Sequence, residues 1–136
     1  MCGIHGVLFP REDCTEAVQA MHAAVSHRGP DGEGVERVPS GILGHRRLSI
    51  LDLSKAGHQP MSDDSGRYWI VYNGEIYNFQ ELRTTLEARG IRFRSNCDTE
   101  VLLYAFRQWG PACLDRLNGM FAFAIWDNLK HTLFLA

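Results

Sequence analysis

The order of apolar patterns along the chain predicts a layered α+β domain rather than an alternating parallel fold. Strand-like segments follow strand-like segments, and helical segments follow helical ones, whereas a parallel sheet needs a helix between successive strands. Residues 119–127 (GMFAFAIWD) alternate large apolar residues with alanines, the pattern of a buried strand. No internal repeat, low-complexity segment or linker divides the 136 residues, so one domain with one core is expected.

The elements follow in chain order. Residues 3–9 (GIHGVLF) are short, apolar and β-branched enough for a strand, which Pro10 and the charged 11–13 triplet end. Residues 15–25 place Val18, Met21, His22 and Val25 on one helical face, with Thr15 as the cap. HRGPDG at 27–32 is loop chemistry. Strands are expected at 34–38, 41–51 and 68–73, with a long loop over 54–66. Asn78 caps a helix carrying Leu82 and Leu86 and stopping at Gly90. Phe93 belongs to a short strand, and Thr99 caps a second helix carrying Leu102, Leu103 and Phe106 up to Gly110-Pro111. A short helical piece reaches Leu117, and residues 132–136 begin a further strand. Leu133, Phe134 and Leu135 make an unusually apolar end, so the sequence reads as a fragment of a longer protein, incomplete at its C-terminal end.

Bulk properties narrow the function classes. A formal charge of −2 supplies no basic field for nucleic acid or an anionic membrane. No apolar run approaches the ~20 residues of a membrane helix, and the start lacks a secretory pattern. A cytoplasmic enzyme is the expectation. The four cysteines (Cys2, Cys14, Cys97 and Cys113) form no C-x-x-C pair and read as free thiols. His22 and His27 are badly spaced for one helical face, and no metal site is indicated.

Cys2 carries the most specific chemistry. Methionine aminopeptidases remove Met1 when the second side chain is small, leaving an α-amine on the same residue as a thiol. A free α-amine titrates near ~7.7–8.0 and a free thiol near ~8.5. Near neutral pH a sizeable minority of the amine is therefore unprotonated and able to take the thiol proton, uniting nucleophile and base in one residue. From position alone, a small packed hydrophobe is the commoner role for such a cysteine. Asn73-Gly74 is likewise open between a hairpin turn and a pair of inward donors.

Six segments change those odds. CGIHGVLF at 2–9, HRGPDG at 27–32, HRRLSILDLS at 45–54, GHQPM at 57–61, YNGEIYNF at 72–79 and CDTEVLL at 97–103 occur in this order. Together they resemble the glutaminase domain of glutamine-hydrolysing asparagine synthetases, a class II glutamine amidotransferase with an N-terminal nucleophile. The resemblance runs through essentially the whole chain. It implies a four-layer αββα sandwich of two antiparallel sheets, truncated at the C-terminus.

The resemblance also implies roles for single residues. Cys2 is the nucleophile, and Asn73 and Gly74 form the oxyanion hole. Arg47 binds the α-carboxylate of glutamine, where a planar fork suits better than lysine. The stretch Leu48, Ser49, Ile50 and Leu51 lies beside the same group. Glu75 and Asp98 meet the α-ammonium, and Asp98 also suits a helix N-terminus. Arg28 and Gly29 belong to a loop that closes over bound glutamine. Arg46 is read as a solvated charge, and Cys14, Cys97 and Cys113 as packing residues. His5 departs from the family's usual small or apolar residue. On a strand it faces away from Cys2, so it is expected to be packed rather than a catalytic base.

The implied reaction is hydrolysis of L-glutamine through a Cys2 thioester. The ammonia would go to a C-terminal synthetase domain of the same protein, where ATP and magnesium activate aspartate. The glutaminase domain itself is expected to need no cofactor. Self-association into a homodimer stays open. Rival readings are a glutaminase serving a different acceptor and a truncated, non-catalytic interaction module.

Overall fold

Side-chain alternation along the strands sorts the apolar residues into two separate cores. The computed structural model describes residues 2–49 and 54–136. Strands β1 (Gly3–Leu8), β2 (Gly32–Val38) and β3 (Gly41–Arg47) form one antiparallel sheet in the order β1-β3-β2. Strands β4 (Met61–Ser62), β5 (Tyr68–Ile76), β6 (Gly119–Asp127) and β7 (Thr132–Leu135) form a second, in chain order. Helix α1 (Thr15–Ala24) covers the first sheet, while α2 (Phe79–Glu87) and α3 (Asp98–Trp109) cover the second. The sheets meet through β1, β3 and β5, giving the expected four-layer αββα order.

In β5, Ile70, Tyr72 and Ile76 point toward the helices and pack with Leu86, Val101 and Leu102. Val71 points the other way, into a smaller core between the sheets with Val38, Leu43 and Trp126. In β6, Phe123 and Ile125 join the first group, and Ala124 and Trp126 the second. Leu86 and Leu102 are fully buried. Truncating either to alanine is expected to cost about 2–5 kcal/mol. At one end of the second sheet, Arg67 makes a two-pronged ion pair with Asp127, its Nε and Nη2 at 2.9 and 2.8 Å. That pair holds the Asp127 carboxyl at about 2, below its ordinary value. Among the described residues no helix is long and apolar enough to cross a membrane.

Several sequence expectations are corrected. Strand β5 does not stop at Asn73 but runs to Ile76, paired with β6 throughout. Asn73-Gly74 therefore lies within a strand and is not a hairpin turn. Phe93 sits in an irregular segment, edge-to-face with Tyr104 at 5.5 Å between ring centres. Neither Thr15 nor Thr99 is a cap. Cys14 and Cys97 hold those positions, and Asp13 Oδ1 accepts from the Thr15 N–H at 3.0 Å. Asn78 is at the expected cap, but its side chain ties to Arg116 and Asn118 instead. The first strand ends at Leu8 because Phe9 takes a positive φ of 54°. Strand β3 ends at Arg47, short of the expected 51, and residues 50–53 lie outside the described residues. The 54–66 loop hides the two-residue β4.

Candidate active site

Cys2 immediately precedes β1 and is half-buried where β3 ends. The Leu48 N–H donates to its sulfur at 3.3 Å, and the sulfur lies 3.7 Å from the Leu48 carbonyl oxygen. Arg28 Nε donates to the Cys2 carbonyl at 3.0 Å, so the segment after α1 also holds the backbone of this residue. Asp31 extends that attachment: its N–H bonds the Arg47 carbonyl at 3.0 Å, and its carboxylate accepts from Ser49 N–H at 2.8 Å.

A cavity of about 160 Å³ opens beside Cys2. Its walls include Arg47, Leu48, Asn73, Gly74, Glu75 and Asp98, so the structure brings together most of the residues singled out from sequence. Ser49 is not among the lining residues and faces Asp31 instead. Ile50 and Leu51 fall outside the described residues. Arg28 and Gly29 do not line the cavity either; Arg28 touches the site only through the Cys2 carbonyl.

The geometry of β5 explains the donors that face the cavity. Peptide groups of successive strand residues point to opposite edges. Tyr72 N–H and Ile76 N–H both bond groups on the edge away from β6. Gly74 N–H, between them in the same alternation, therefore opens toward the cavity that Gly74 lines. A β-carbon on Gly74 would lie 2.4 Å from the Met120 carbonyl oxygen, so no side chain fits here. Asn73 shares the face of Val71, the face turned to the first sheet. Its Oδ1 is buried and has no hydrogen-bond partner among the described residues.

Charges of both signs line the same space. Arg47 Nη1 donates to the Ser54 carbonyl at 2.8 Å, and its Nη2 lies across Gly57. A β-carbon on Gly57 would come within 2.3 Å of that nitrogen. Opposite in sign, Asp98 is buried in the first turn of α3. Burial pushes its carboxyl up, and hydrogen bonds from Tyr72, Ile76 and Thr99 oppose that rise. Glu75 is also raised, first by burial and then by the Asp98 charge. Two carboxyls raised this way are matched to a cationic guest, whose charge would favour their ionised forms.

His5 lies on the opposite face of the first sheet, its Nε2 3.2 Å from His22 Nδ1, and does not line the cavity. Burial and the neighbouring His22 and Arg46 charges lower its pKa. Arg46, read as a solvated charge, is ion-paired with Glu33 and bonded to the His22 carbonyl at 3.2 Å.

Sequence reasoning missed Gly57, Gln59, Tyr72, Cys97, Thr99 and Met120, all of which line the cavity. Gly57 and Gln59 lie in the GHQPM segment, whose sequence shows no chemistry of its own. Cys97, expected only to pack, is buried with Sγ 3.0 Å from Ser95 Oγ, and burial pushes its thiol up.

Known proteins resemble this chain over essentially its whole length. A family model described as the glutamine amidotransferase domain matches residues 1–136. The chain is 43% identical over 139 residues to the glutamine-hydrolysing asparagine synthetase 1 of Bacillus subtilis, covering 98% of this chain and 22% of that protein. It is 40% identical over 133 residues to asparagine synthetase B of Escherichia coli, covering 96% of this chain and 24% of that one. The chain thus spans about a quarter or less of the length of these curated relatives. In fold it matches glutamine phosphoribosylpyrophosphate amidotransferase from B. subtilis, with a TM-score of 0.70 over 93% of this chain and 35% of that one at 23% identity. Matched by the family model along its full length, the chain belongs to the glutamine amidotransferase domain family.

Proposed function

We propose that this chain hydrolyses L-glutamine to glutamate and ammonia, with Cys2 as the nucleophile once Met1 has been removed. One observation carries the reading: a half-buried N-terminal thiol shares a cavity with a cation, two raised carboxyls and an open strand edge. Free glutamine is a carboxamide flanked by a carboxylate and an ammonium. Arg47 takes the carboxylate, and Asp98 with Glu75 takes the ammonium. The side-chain amide is then presented to the sulfur.

The α-amine of Cys2 accepts the thiol proton, and the thiolate attacks the amide carbon. The Gly74 N–H and the Asn73 side-chain amide donate to the oxyanion, and donors fixed in advance need no reorganisation as charge develops. The amine proton passes to the departing nitrogen, the C–N bond breaks and ammonia leaves. Water, deprotonated by the same amine, cleaves the γ-glutamyl thioester and restores the thiol. Arg28 and Gly29, tied to the backbone of Cys2 and β3, form a cover over the thioester in this reading.

The relatives named as asparagine synthetases support a wider proposal. In the longer protein, ammonia would pass to a synthetase domain that amidates aspartate using ATP and magnesium. Hydrolysis itself is carried by protein groups and water.

The test is glutamate and ammonia release from L-glutamine, measured beside D-glutamine and glutaramate, which lacks the α-ammonium. Release from L-glutamine alone, lost in Cys2→Ala and reduced sharply in Asp98→Asn, is the expected result. Equal rates with glutaramate would overturn the assigned role of the carboxyls.

A further inference from the structure

The edge of β5 is finished by side chains instead of by a strand. Strand β4 supplies only Met61 and Ser62, opposite Ile70 and Trp69. Extending that register would set Gln59 opposite Tyr72, but the strand reaches only to Met61 and its backbone does not pair there. Both backbone groups of Tyr72 are met by buried side chains. Gln59 Oε1 accepts from the Tyr72 N–H at 2.7 Å, and His45 Nε2 donates to the Tyr72 carbonyl at 3.1 Å. Gln59 is 5% exposed and His45 0%. The orientation of the Gln59 amide is set from its other end, where Nε2 donates to Thr99 Oγ1 at 3.1 Å.

This arrangement has a consequence for the next two residues. A backbone strand continuing past Tyr72 would take up the Gly74 N–H as well. One side chain satisfies the Tyr72 N–H and, among the described residues, leaves the Gly74 N–H without a partner on the same edge. It also fixes the Val71–Tyr72 peptide, one residue ahead of Asn73, whose buried Oδ1 has no partner among the described residues.

We infer that Gln59 is a positioning residue for oxyanion stabilisation, substituting for a strand at Tyr72 so that the Asn73 amide and Gly74 N–H are held in place yet unoccupied. The inference rests on the glutaminase reading above. Gln59 touches neither the sulfur nor the reacting amide in this scheme; it acts through the backbone of Tyr72. Its effect belongs to the transition state, where the oxyanion forms, and much less to the binding of the substrate's charged ends.

Gln59→Met keeps chain length and volume and removes both hydrogen bonds. Its kcat for glutamine should fall at least about tenfold, less than the ~10²–10³ lost on removing an oxyanion donor outright. Its KM should stay within about threefold, the pattern of an interaction made only in the transition state. The γ-aldehyde analogue of glutamine, whose adduct with Cys2 carries an oxyanion-like oxygen, should bind at least about tenfold more weakly. Binding of L-glutamate should be nearly unchanged. Thr99→Val should lower kcat in the same direction and Thr99→Ser should restore it, which keeps the test decisive if Gln59→Met does not fold. Wild-type kcat in both Gln59→Met and Thr99→Val, or parallel weakening of aldehyde and glutamate, would overturn the inference. Undiminished hydrolysis in Cys2→Ala would instead overturn the glutaminase reading, a separate and recognisable failure.

Discussion

The Tyr72 hydroxyl donates to Asp98 Oδ2 at 2.7 Å, joining the central strand of the site to the first turn of α3. The same oxygen accepts from Ile76 N–H at 3.0 Å, so strand and helix hold the carboxylate at the cavity wall. Burial and the Asp98 charge push the Tyr72 hydroxyl far up, so it remains a donor at any physiological pH. Removing that donor in Tyr72→Phe strands part of a buried carboxylate. A loss of about 1–3 kcal/mol of stability is expected from urea unfolding. The KM for glutamine should rise by about 5–10-fold, near 1–1.4 kcal/mol of binding. An unchanged KM would count against Asp98 as the ammonium acceptor.

Gly57 tests the carboxylate end. A methyl group there meets the far end of the Arg47 side chain, which can swing aside without unfolding the protein. Gly57→Ala should therefore keep the melting temperature and displace the guanidinium. Steady-state kinetics should show KM raised about tenfold or more, equivalent to ~1.4 kcal/mol, with kcat changed far less. Equal losses in kcat and KM would place the fault elsewhere.

His45 gives a pH signature. Its Nε2 donates to the Tyr72 carbonyl, so its Nδ1, which is buried without a partner among the described residues, is the bare nitrogen. Burial lowers its pKa to about 4, with the Tyr72 bond opposing that shift. A group depressed on folding stabilises the native state fully above its unfolded pKa, here ~6.5, and loses that contribution as pH falls toward the folded value. Unfolding free energy should fall between about pH 6.5 and 4, and this component should vanish in His45→Gln. Nitrogen chemical shifts of the ring should show a neutral Nε2–H imidazole at about pH 5.5, well below the ordinary histidine range. A protonated ring at that pH would contradict the assigned bond.

The limits of sequence reading follow from where the information lies. Cys2, Arg47 and Asp98 were legible because their side chains carry the chemistry, and their segments resemble a family. The course of β6 was legible because GMFAFAIWD is a short apolar run in which phenylalanines alternate with alanines. Asn73-Gly74 looks like a turn locally; it stays in a strand because Ile76 N–H finds the Asp98 carboxylate and β6 pairs alongside. Gln59 was invisible for a different reason. Its role depends on a strand that stops at Met61 and on a threonine of another element, and neither leaves a pattern in GHQPM. The caps shifted by one or two residues, from the threonines to Cys14 and Cys97, neither of which bonds its helix through a side chain that a pattern could announce.

The central claim is that the thiol of Cys2, bearing a free α-amine, is the nucleophile. Intact-mass and peptide mapping after treatment with diazo-oxo-norleucine tests it most directly. The account predicts protein lacking Met1, one adduct confined to Cys2, and protection by excess L-glutamine, while Cys97 and Cys113 remain unlabelled in their buried positions. Glutamine hydrolysis by protein that retains Met1, or an adduct formed just as readily in Cys2→Ala, would contradict it.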